Sequence, residues 1–297
     1  MKFSEKKVNT VLITGGNSTV GKDLVNLFLK DNFKVIAIIR KKIKKKKYKK
    51  NYKEIHLDYL KSIKIRKKVD FVVNTIATHE YSTNKKLDDY YEGNIKCTKK
   101  IVDFCKKKKI KFLINLSTIS IYKKKKTETK EIDPVDDESI LGPSKFLGEK
   151  IIEMSDLNFI SLRLPGVLSL DSSLVSRPWL KKIIYDIKKN KKIEIFNQNV
   201  KFNSIIDTIE IYNFIKFIFR NKKMISGSYN FSASKPMKLK QIIKIITNFY
   251  SYNLKIKYRF INKSSSSLIN IKKLDTKNNF KISSTKKILL RYLKNIG

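Results

Sequence analysis

The sequence predicts an α/β protein: a doubly wound parallel sheet followed by a smaller C-terminal α+β lobe. Six β-branched, apolar runs within the first 165 residues are too continuously apolar for a sheet with one wet face, which indicates strands covered on both faces. Helical patterns separate several of these runs, and this alternation is typical of a parallel sheet. Beyond Pro165 the pattern loosens. We therefore predict one domain at 1–165 and a lobe at 166–297, from which some elements can return to the sheet.

The predicted elements follow from the spacing of apolar residues. The six strands are expected at 8–15, 33–40, 54–58, 70–77, 111–117 and 158–164. The first helix follows the first strand, where Val20, Leu24, Leu27 and Phe28 form one helical stripe. The other helices are expected at 90–105 and near 179–190, 208–221 and 238–250, with short strands at 192–197 and 254–260.

The charge balance is strongly basic, with 67 Lys+Arg against 26 Asp+Glu and a net charge of +41. Such a balance can indicate a nucleic acid or an anionic surface as partner. However, only seven of these cations are arginines, the residue that makes bidentate phosphate and base contacts, and the lysines are spread along the chain. We interpret the charge as compositional, with RNA or another polyanion as the alternative partner, and the run 41–53 as a solvated loop.

Neither a metal site nor a membrane segment is predicted. Cys97 and Cys105 are eight residues apart in a predicted helix, and His56 and His79 are the two histidines, so no metal-ligand spacing occurs. The two cysteines are expected to be reduced and partly buried. No apolar run approaches the roughly 18 residues of a membrane span, and the first 15 residues lack a signal-peptide pattern. We expect a cytoplasmic protein.

A glycine-rich motif, VLITGGNSTVG at 11–21, leaves the first strand and opens the first helix. The first two glycines permit a tight turn, and the last one permits close packing of the helix on the sheet. The N-terminus of the helix would face the pyrophosphate of a dinucleotide. The motif predicts a Rossmann-type dinucleotide site, and a tight turn without a ligand is the alternative. The residues of this site are Gly15, Gly16, Asn17, Ser18, Thr19, Val20 and Gly21.

The end of the second strand indicates which dinucleotide is bound. NAD-selective sites place an acid there on the ribose hydroxyls. This chain has Arg40, and it has no acid from Asn32 to Lys53. A cation can hold a 2′-phosphate, so NADP is favoured over NAD; a solvated cation is the alternative for Arg40. Asp58, at the end of the third strand, is predicted either to accept a hydrogen bond from the adenine amino group or to cap the next helix.

Together these motifs resemble the extended short-chain dehydrogenase/reductase family, which includes nucleotide-sugar epimerases and dehydratases. TGGNSTVG is similar to the family's TGxxGxxG loop, with Ser18 in place of the middle glycine. VDFVVNTIAT, YYEGNIKCT, INLSTISIY and LRLPGVLS are similar to its fourth strand, the helix after it, its fifth strand and its sixth strand. The resemblance continues through FNSIIDTIEIYNFI, GSYNFSASKPMKLKQII and DTKNNFKISSTKKILLRYL, and so covers nearly the whole chain.

The resemblance implies the roles of individual residues. It makes Thr118 the catalytic Ser/Thr, and it aligns LGPSK at 141–145 with the family's Y-x-x-x-K, so that Lys145 matches the lysine and Leu141 the tyrosine. The cofactor residues implied in addition are Thr75, Ile76, Ala77, Lys145 and Pro165. The substrate contacts implied are Asn94, Arg177 and Asn203.

Because leucine stands at position 141, the sequence can predict cofactor binding without also predicting turnover. In the family, the lysine lowers the pKa of the tyrosine and holds the nicotinamide ribose, and the phenol then transfers a proton. Leucine has no proton to transfer. Tyr122, Tyr90, Tyr91 or a water held by Thr118 are candidate substitutes.

The residues after Thr118 narrow the reaction. Sugar 4,6-dehydratases of the family have an Asp-Glu pair there, whereas this chain has Ile119 and Ser120, which disfavours that reaction. We predict an NAD(P)-dependent nucleotide-sugar epimerase or keto-sugar reductase that acts in surface polysaccharide or glycan synthesis. Because homodimers are common among relatives, a homodimer is possible here as well. The alternative is a non-catalytic NAD(P)-binding relative with a regulatory, assembly or RNA-binding role.

Overall fold

The computed structural model describes residues 9–40, 50–56, 63, 65–79, 86–170, 178–221, 225–251, 256–261 and 268–296. Asp58 and Arg177, predicted to contact the cofactor and the substrate, lie outside the described residues. So does most of the lysine-rich run 41–53.

The strands and helices of the described residues are as follows. The strands are β1 (Thr10–Thr14), β2 (Lys34–Ile39), β3 (Tyr52–His56), β4 (Phe71–Asn74), β5 (Leu113–Thr118), β6 (Phe159–Leu164), β7 (Gly166–Leu168), β8 (Ile193–Phe196), β9 (Lys201–Phe202), β10 (Ile205–Asp207), β11 (Gly227–Asn230), β12 (Met237–Lys238) and β13 (Ile256–Arg259). The helices are α1 (Thr19–Lys30), α2 (Leu87–Tyr90), α3 (Cys97–Lys107), α4 (Leu141–Glu153), α5 (Pro178–Lys188), α6 (Thr208–Asn221), α7 (Leu239–Phe249), α8 (Lys272–Asn278) and α9 (Thr285–Ile296).

Seven of the described strands form the main sheet, in the order β11-β6-β5-β4-β1-β2-β3. The pairs β3·β2, β2·β1, β1·β4 and β4·β5 are parallel. Every residue of β4 and β6 is buried, as expected for strands covered on both faces, and the few polar residues that they contain are buried as well. The order of the first six strands is that of a doubly wound sheet, so the predicted fold class is confirmed.

The helix predicted at 90–105 is interrupted in the structure. It begins at Leu87 with the short α2, continues through a π-helical turn at Tyr91–Lys96 and ends with α3. A π-helical turn widens the backbone and often occurs at functional sites. Asn94 lies in this turn and is buried.

Polar side chains cross the buried sheet in one row. Thr14 Oγ1 donates to Asn74 Oδ1 (2.8 Å), Asn74 Nδ2 donates to Asn115 Oδ1 (2.9 Å), and Asn115 Nδ2 donates to Ser161 Oγ (3.3 Å). The four residues come from the adjacent strands β1, β4, β5 and β6. Each is at most 2% exposed. We call these four residues the polar row.

The described residues form two compact units. The first contains the residues up to Ile121, together with Val135–Leu162 and Ile225–Ser228, and the second contains the rest. In the second unit, three two-stranded sheets pair β10 with β7, β12 with β9 and β13 with β8. Arg291 on α9 makes a bidentate bond to Asp207 (2.8 and 2.9 Å) and also reaches Glu210 (2.7 Å), which anchors α9 to α6 and β10.

The described residues contain neither a membrane-spanning helix nor a cluster of metal-binding side chains. None of their helices combines the length and apolarity needed to cross a bilayer. No group of three or more His, Cys, Asp or Glu side chains is arranged there to hold a metal ion. Cys97 and Cys105 are buried, and burial raises the pKa of the Cys105 thiol to about 12, which makes it unreactive.

Candidate active site

The turn between β1 and α1 is packed too tightly for side chains. Gly15 has a φ of +70°, and a Cβ there would lie 2.8 Å from Thr75 Oγ1. A Cβ on Gly21 would lie 2.2 Å from the carbonyl oxygen of Gly15, which is well inside contact distance. Glycine at these two positions is therefore required by the backbone itself.

Ser18 occupies the position of the family's middle glycine and caps α1. Its Oγ accepts a hydrogen bond from the Gly21 N–H (3.1 Å) and lies 3.1 Å from Thr75 Oγ1. The Thr75 hydroxyl in turn donates to the Thr14 carbonyl oxygen (2.7 Å). Because its hydroxyl bonds within the turn, Ser18 satisfies one unpaired N–H of the helix.

The turn fits the pyrophosphate of a dinucleotide. The first N–H groups of α1, those of Thr19 and Val20, have no acceptor within the helix, and the positive end of the helix dipole lies beside them. The Gly16 N–H donates to the Ile38 carbonyl (3.0 Å), which holds the turn against β2. Arg40 follows the last residue of β2 and is exposed. The residues that would hold the pyrophosphate are Gly15, Gly16, Asn17, Ser18, Thr19, Val20 and Gly21.

Lys145 is buried one helical turn inside α4. Its Nζ donates to the carbonyl oxygens of Leu116 (2.9 Å) and Ile76 (3.3 Å), so it joins the end of β5 to the segment after β4. Burial lowers the pKa of Lys145 to about 8, and the charge of Glu149 partly opposes this shift. Lysines with a lowered pKa are typical of catalytic sites, although structural lysines can show the same shift.

Leu141 is the first residue of α4 and is 5% exposed. A Cβ on Gly142 would lie 2.1 Å from the Ser120 carbonyl oxygen, so the first turn of α4 lies directly on the 3₁₀ turn Ile119–Ile121. Thr118 precedes that turn, and its Oγ1 accepts from the Ser120 N–H (3.1 Å), which leaves its own O–H able to donate. The structure thus brings Leu141, Lys145 and Thr118 together, but Leu141 supplies no proton.

Asn94 bonds to two neighbouring segments. Its Nδ2 donates to Ser144 Oγ (2.9 Å) and to the Thr78 carbonyl oxygen (3.3 Å), and its Oδ1 accepts from the Thr78 N–H (2.8 Å). The residue is 1% exposed. Both N–H groups of the amide are therefore used within the protein, and a substrate contact through them stays a prediction.

Asn203, in the second unit, shows the same pattern. Its Nδ2 donates to the carbonyl oxygens of Ala233 and Ile269 (both 2.9 Å), and its Oδ1 accepts from the Ile269 N–H (2.9 Å). The side chain is buried. It holds two chain segments together, and the predicted substrate contact stays a prediction here too.

The tyrosines predicted as possible substitutes for the missing phenol differ in their hydrogen bonds and in their exposure. In the second unit, the Tyr122 hydroxyl donates to Asn230 Oδ1 (2.6 Å) and accepts from Arg163 Nη1 (2.8 Å), so it is already used on both sides. Tyr90 is buried, whereas Tyr91 is half exposed. Among the other predicted cofactor residues, Thr75, Ile76 and Pro165 are buried and Ala77 is partly buried.

Sequence reasoning missed two polar residues near Lys145. Ser117 is 6% exposed, and its hydroxyl has no hydrogen-bond partner among the described residues. His79 follows the segment that contacts Lys145 and is exposed. Partial desolvation by the protein around its ring, followed by the charge of Lys145, lowers its pKa to about 4. The signals available in the sequence were that Ser117 precedes the catalytic position and that the chain has two histidines.

The strand order of the main sheet and the glycine turn after β1 define a Rossmann-type α/β protein. The model of the NAD dependent epimerase/dehydratase family matches residues 11–219. Because this match covers more than half of the sequence, the chain belongs to that family. The family match confirms the resemblance read from the motifs and supports the interpretation of the protein as an enzyme. A search of curated proteins returns no sequence match.

Solved structures share the fold over nearly the whole chain. A UDP-glucuronic acid 4-epimerase from Bacillus cereus in complex with NAD is 18% identical with a TM-score of 0.76, covering 97% of this chain and 99% of its own. A UDP-N-acetylglucosamine 4-epimerase from Methanobrevibacter ruminantium M1 in complex with UDP-N-acetylmuramic acid is 22% identical with a TM-score of 0.79, covering 97% and 98%. The Bordetella bronchiseptica enzyme WbmG in complex with NAD and UDP is 17% identical with a TM-score of 0.75, covering 97% of each chain. At these identities the likeness concerns the fold.

Proposed function

We propose that this protein is an NAD(P)-dependent enzyme that acts on a nucleotide sugar, as an epimerase or a keto-sugar reductase, in the synthesis of a surface polysaccharide or glycan. The observation that carries the proposal is the position of Lys145. Its Nζ is held by the carbonyls of Ile76 and Leu116, at the ends of the segments that line the cofactor in this family. Family membership and the fit of the glycine turn support the same conclusion.

The residues of the first unit have distinct tasks in this proposal. The glycine turn binds the pyrophosphate through backbone N–H groups. Lys145 uses two of its three N–H groups on carbonyls and has the third for a ribose hydroxyl. The Thr118 hydroxyl donates to a hydroxyl or carbonyl oxygen of the sugar. When bound there, a nicotinamide dinucleotide would supply the hydride chemistry.

Arg40 sets the cofactor preference that we propose. It is exposed at the end of β2, and the segment from Asn32 to Arg40 contains no acid that would repel a 2′-phosphate. We therefore propose NADP over NAD. An Arg40→Glu variant should reverse the preference, and the control Lys30→Glu, which makes the same charge change on an exposed residue of α1, should not.

UDP-sugars are the substrates to test first, because the structural neighbours named above include epimerases of UDP-sugars. A 4,6-dehydratase remains disfavoured because Ile119 and Ser120 follow Thr118. Keto-sugar reduction needs one hydride transfer and one proton transfer, and epimerisation through a keto intermediate needs one of each in both directions. Neither reaction needs the missing Asp-Glu pair.

The decisive experiment measures binding and turnover separately. Calorimetry with NAD⁺, NADP⁺ and their reduced forms tests the cofactor site, and proton NMR of UDP-glucose, UDP-glucuronic acid and UDP-N-acetylglucosamine incubated with the protein detects inversion at a sugar carbon. A UDP-4-keto-sugar with the reduced cofactor tests reductase activity. We expect binding in the micromolar range typical of such sites, about −8 kcal/mol. Failure to bind any of the four dinucleotides would reject the proposal.

Leu141 favours a second candidate, a relative that binds the cofactor without turnover. The two candidates differ in the effect of restoring the phenol. If the wild type binds a dinucleotide but turns over none of the sugars, and Leu141→Tyr does not gain activity either, the non-catalytic function is supported. Leu141→Phe is the matched control, since it adds the same ring without the hydroxyl.

A further inference from the structure

The two hydrogen bonds of Lys145 leave one bonding position on its nitrogen. Nζ donates to the carbonyl oxygens of Leu116 (2.9 Å) and Ile76 (3.3 Å). These are its hydrogen bonds within the part of the chain that the structure describes. A tetrahedral nitrogen that is attached to Cε and directed at two carbonyls has a single further position, which we call the third position.

The third position can gain or lose a proton without disturbing the other two. In the charged amine it holds an N–H, and in the neutral amine it holds the lone pair. In both forms two N–H groups remain for the carbonyls of Leu116 and Ile76, so neither buried acceptor is left without its partner. Lys145 can therefore change its charge while its side chain stays in place.

Nζ lies at the end of the strand that carries Thr118. Leu116, whose carbonyl accepts from Nζ, and Thr118 are two residues apart on β5, which is about 7 Å along a strand. The Thr118 hydroxyl accepts from the Ser120 N–H (3.1 Å) and is able to donate. A sugar oxygen that is held by Thr118 would therefore lie close to Nζ.

Leu141 leaves Lys145 without a phenol to share the proton. It is the first residue of α4, one helical turn before Lys145, and it is 5% exposed. Its side chain has no hydrogen-bonding group, and its carbonyl accepts from Ser144 Oγ (2.9 Å). Of the two positions aligned with the family's Y-x-x-x-K, Lys145 is the one that carries a proton.

The charges around Lys145 suit proton transfer near neutral pH. Burial lowers the pKa of Lys145 to about 8, and the charge of Glu149, one turn later on α4, partly opposes this shift. Glu149 is itself buried, and its Oε2 accepts from Ser228 Oγ on β11 (2.9 Å). Desolvation, followed by the charge of Lys145, lowers the pKa of His79 to about 4, so this ring is neutral at pH 7. An amine whose pKa is near the working pH both accepts and donates protons efficiently.

We propose that Lys145 itself carries the proton that tyrosine carries in the family, through the third position of Nζ. This inference rests on the proposed function and deepens it. The O–H bond of the sugar hydroxyl breaks and its proton passes to the neutral amine, while the carbon gives up a hydride to the oxidised nicotinamide dinucleotide and a C=O bond forms. In the reverse step the charged amine returns the proton to the oxygen as the hydride returns to the carbon. The sugar hydroxyl and the ribose hydroxyl of the proposed function share the third position, as in a three-centre hydrogen bond.

NMR tests the protonation of Lys145 without cofactor or turnover. Among the Cε–Hε signals of the lysines, we expect one to titrate near pH 8, apart from those that titrate near the ordinary 10.5. Lys145→Met should remove this signal, whereas Lys150→Met, at an exposed position of the same helix, should leave it. A Lys145 that titrates near 10.5 would overturn the proposal even if the enzyme is active, because it would keep its proton at neutral pH.

Kinetics distinguish proton transfer from a merely structural role. Lys145→Arg keeps the positive charge and the N–H donors, but a guanidinium does not release its proton in proteins. We expect kcat to fall by about 100-fold or more, the usual contribution of a general acid or base, while dinucleotide affinity stays close to wild type. Lys150→Arg is the matched control and should keep full activity.

Restoring the phenol shows whether the loss in Lys145→Arg comes from the missing proton carrier or from a damaged fold. Adding Leu141→Tyr should recover kcat by at least about tenfold, whereas adding Leu141→Phe should recover none, because the tyrosine alone brings a proton. Equal activities of the two double variants would count against the proposal.

The pH dependence of the wild type has a defined sign. Oxidation of a sugar hydroxyl needs the neutral amine, so kcat/KM for epimerisation should rise with pH and level off above about 8. Reduction of a keto sugar needs the charged amine, so its kcat/KM should fall as the pH rises through about 8. A profile without a change in this range would contradict proton transfer by Lys145.

The outcomes separate this inference from the proposed function. A Lys145→Arg variant as active as the wild type would reject Lys145 as the proton carrier and leave the proposed function standing. A wild type that binds the dinucleotide but turns over no sugar nucleotide would reject the enzymatic function and this inference together.

Discussion

The turn after β1 and the first turn of α4 each carry a replacement at a position where the family pattern has a defined residue, and the structure treats the two replacements differently. At the turn, Ser18 replaces a glycine and its hydroxyl bonds to Gly21 and Thr75. At α4, Leu141 replaces a tyrosine and is buried against the neighbouring elements. The conformational role of the glycine can be replaced by the local hydrogen bonds of Ser18. The proton transfer of the tyrosine cannot be replaced by Leu141 and needs another side chain that carries a proton.

The largest effect expected from this comparison is at Gly21. In Gly21→Ala the new Cβ would meet the Gly15 carbonyl at 2.2 Å, so α1 must move away from the turn. We expect the free energy of unfolding to fall by about 3 kcal/mol, the upper part of the range for overpacking, and dinucleotide binding to be lost. Urea denaturation and calorimetry measure the two effects.

Asn26→Ala is the matched control, because Asn26 is exposed on the same helix. It should leave both quantities within error of the wild type. If Gly21→Ala bound the dinucleotide as tightly as the wild type, the packing of this turn would have no part in cofactor binding.

An intermediate effect is expected at Lys145, and it depends on pH. The folded protein holds this lysine at a pKa of about 8, below the ordinary 10.5, because burial disfavours the charge. Between these two values the unfolded chain binds more protons than the folded one, so the wild type gains stability as the pH rises from about 8 towards 10.5. Below about pH 8 the buried charge costs its full amount.

Lys145→Met removes this titration. The stability of the wild type relative to the variant should rise by about 3 kcal/mol between pH 7 and pH 10.5, since one pKa unit corresponds to about 1.4 kcal/mol. Urea denaturation of both proteins at half-unit pH steps gives the difference. A difference that is flat across this range would show that Lys145 keeps its ordinary pKa in the folded state.

The smallest effect is expected for Ser18→Gly, which restores the family pattern. Glycine is a tolerated N-cap, so the loss of the serine cap should cost only about 0.5 kcal/mol. Dinucleotide affinity should change by less than about threefold, which is under 1 kcal/mol. Ser18→Val is the contrasting variant, because it removes the cap and adds bulk. A large gain in affinity in Ser18→Gly would mean that the serine obstructs the pyrophosphate.

The sequence was sufficient to predict the strands of the main sheet, because a run of apolar residues is a local pattern. The run 158–164 became β6 at Phe159–Leu164, and the run 33–40 became β2 at Lys34–Ile39, since a strand buried on both faces consists mostly of apolar residues. The return of β11 to the sheet edge was not assigned to a segment, because a short strand with two buried residues has little pattern.

Side-chain roles were harder to predict than strands. Asn94 was assigned to the substrate by resemblance, and its bonds to Thr78 and Ser144 depend on residues 16 and 50 positions away. The lowered pKa of His79 gave no signal in the sequence, because it results from desolvation in the fold and then from the charge of Lys145, on another element. The roles of Asp58 and Arg177, a homodimer and a polyanion partner stay predictions.

The polar row of Thr14, Asn74, Asn115 and Ser161 has a consequence for folding fidelity. If one of the four strands slipped by one residue, its polar side chain would move to the opposite face of the sheet, because side chains alternate along a strand. Each broken link would leave a buried amide or hydroxyl without a partner, at a cost of about 1–3 kcal/mol. Misaligned sheets are therefore penalised at four neighbouring strands at once, a selectivity that the apolar residues around the row could not supply, since one β-branched side chain substitutes readily for another.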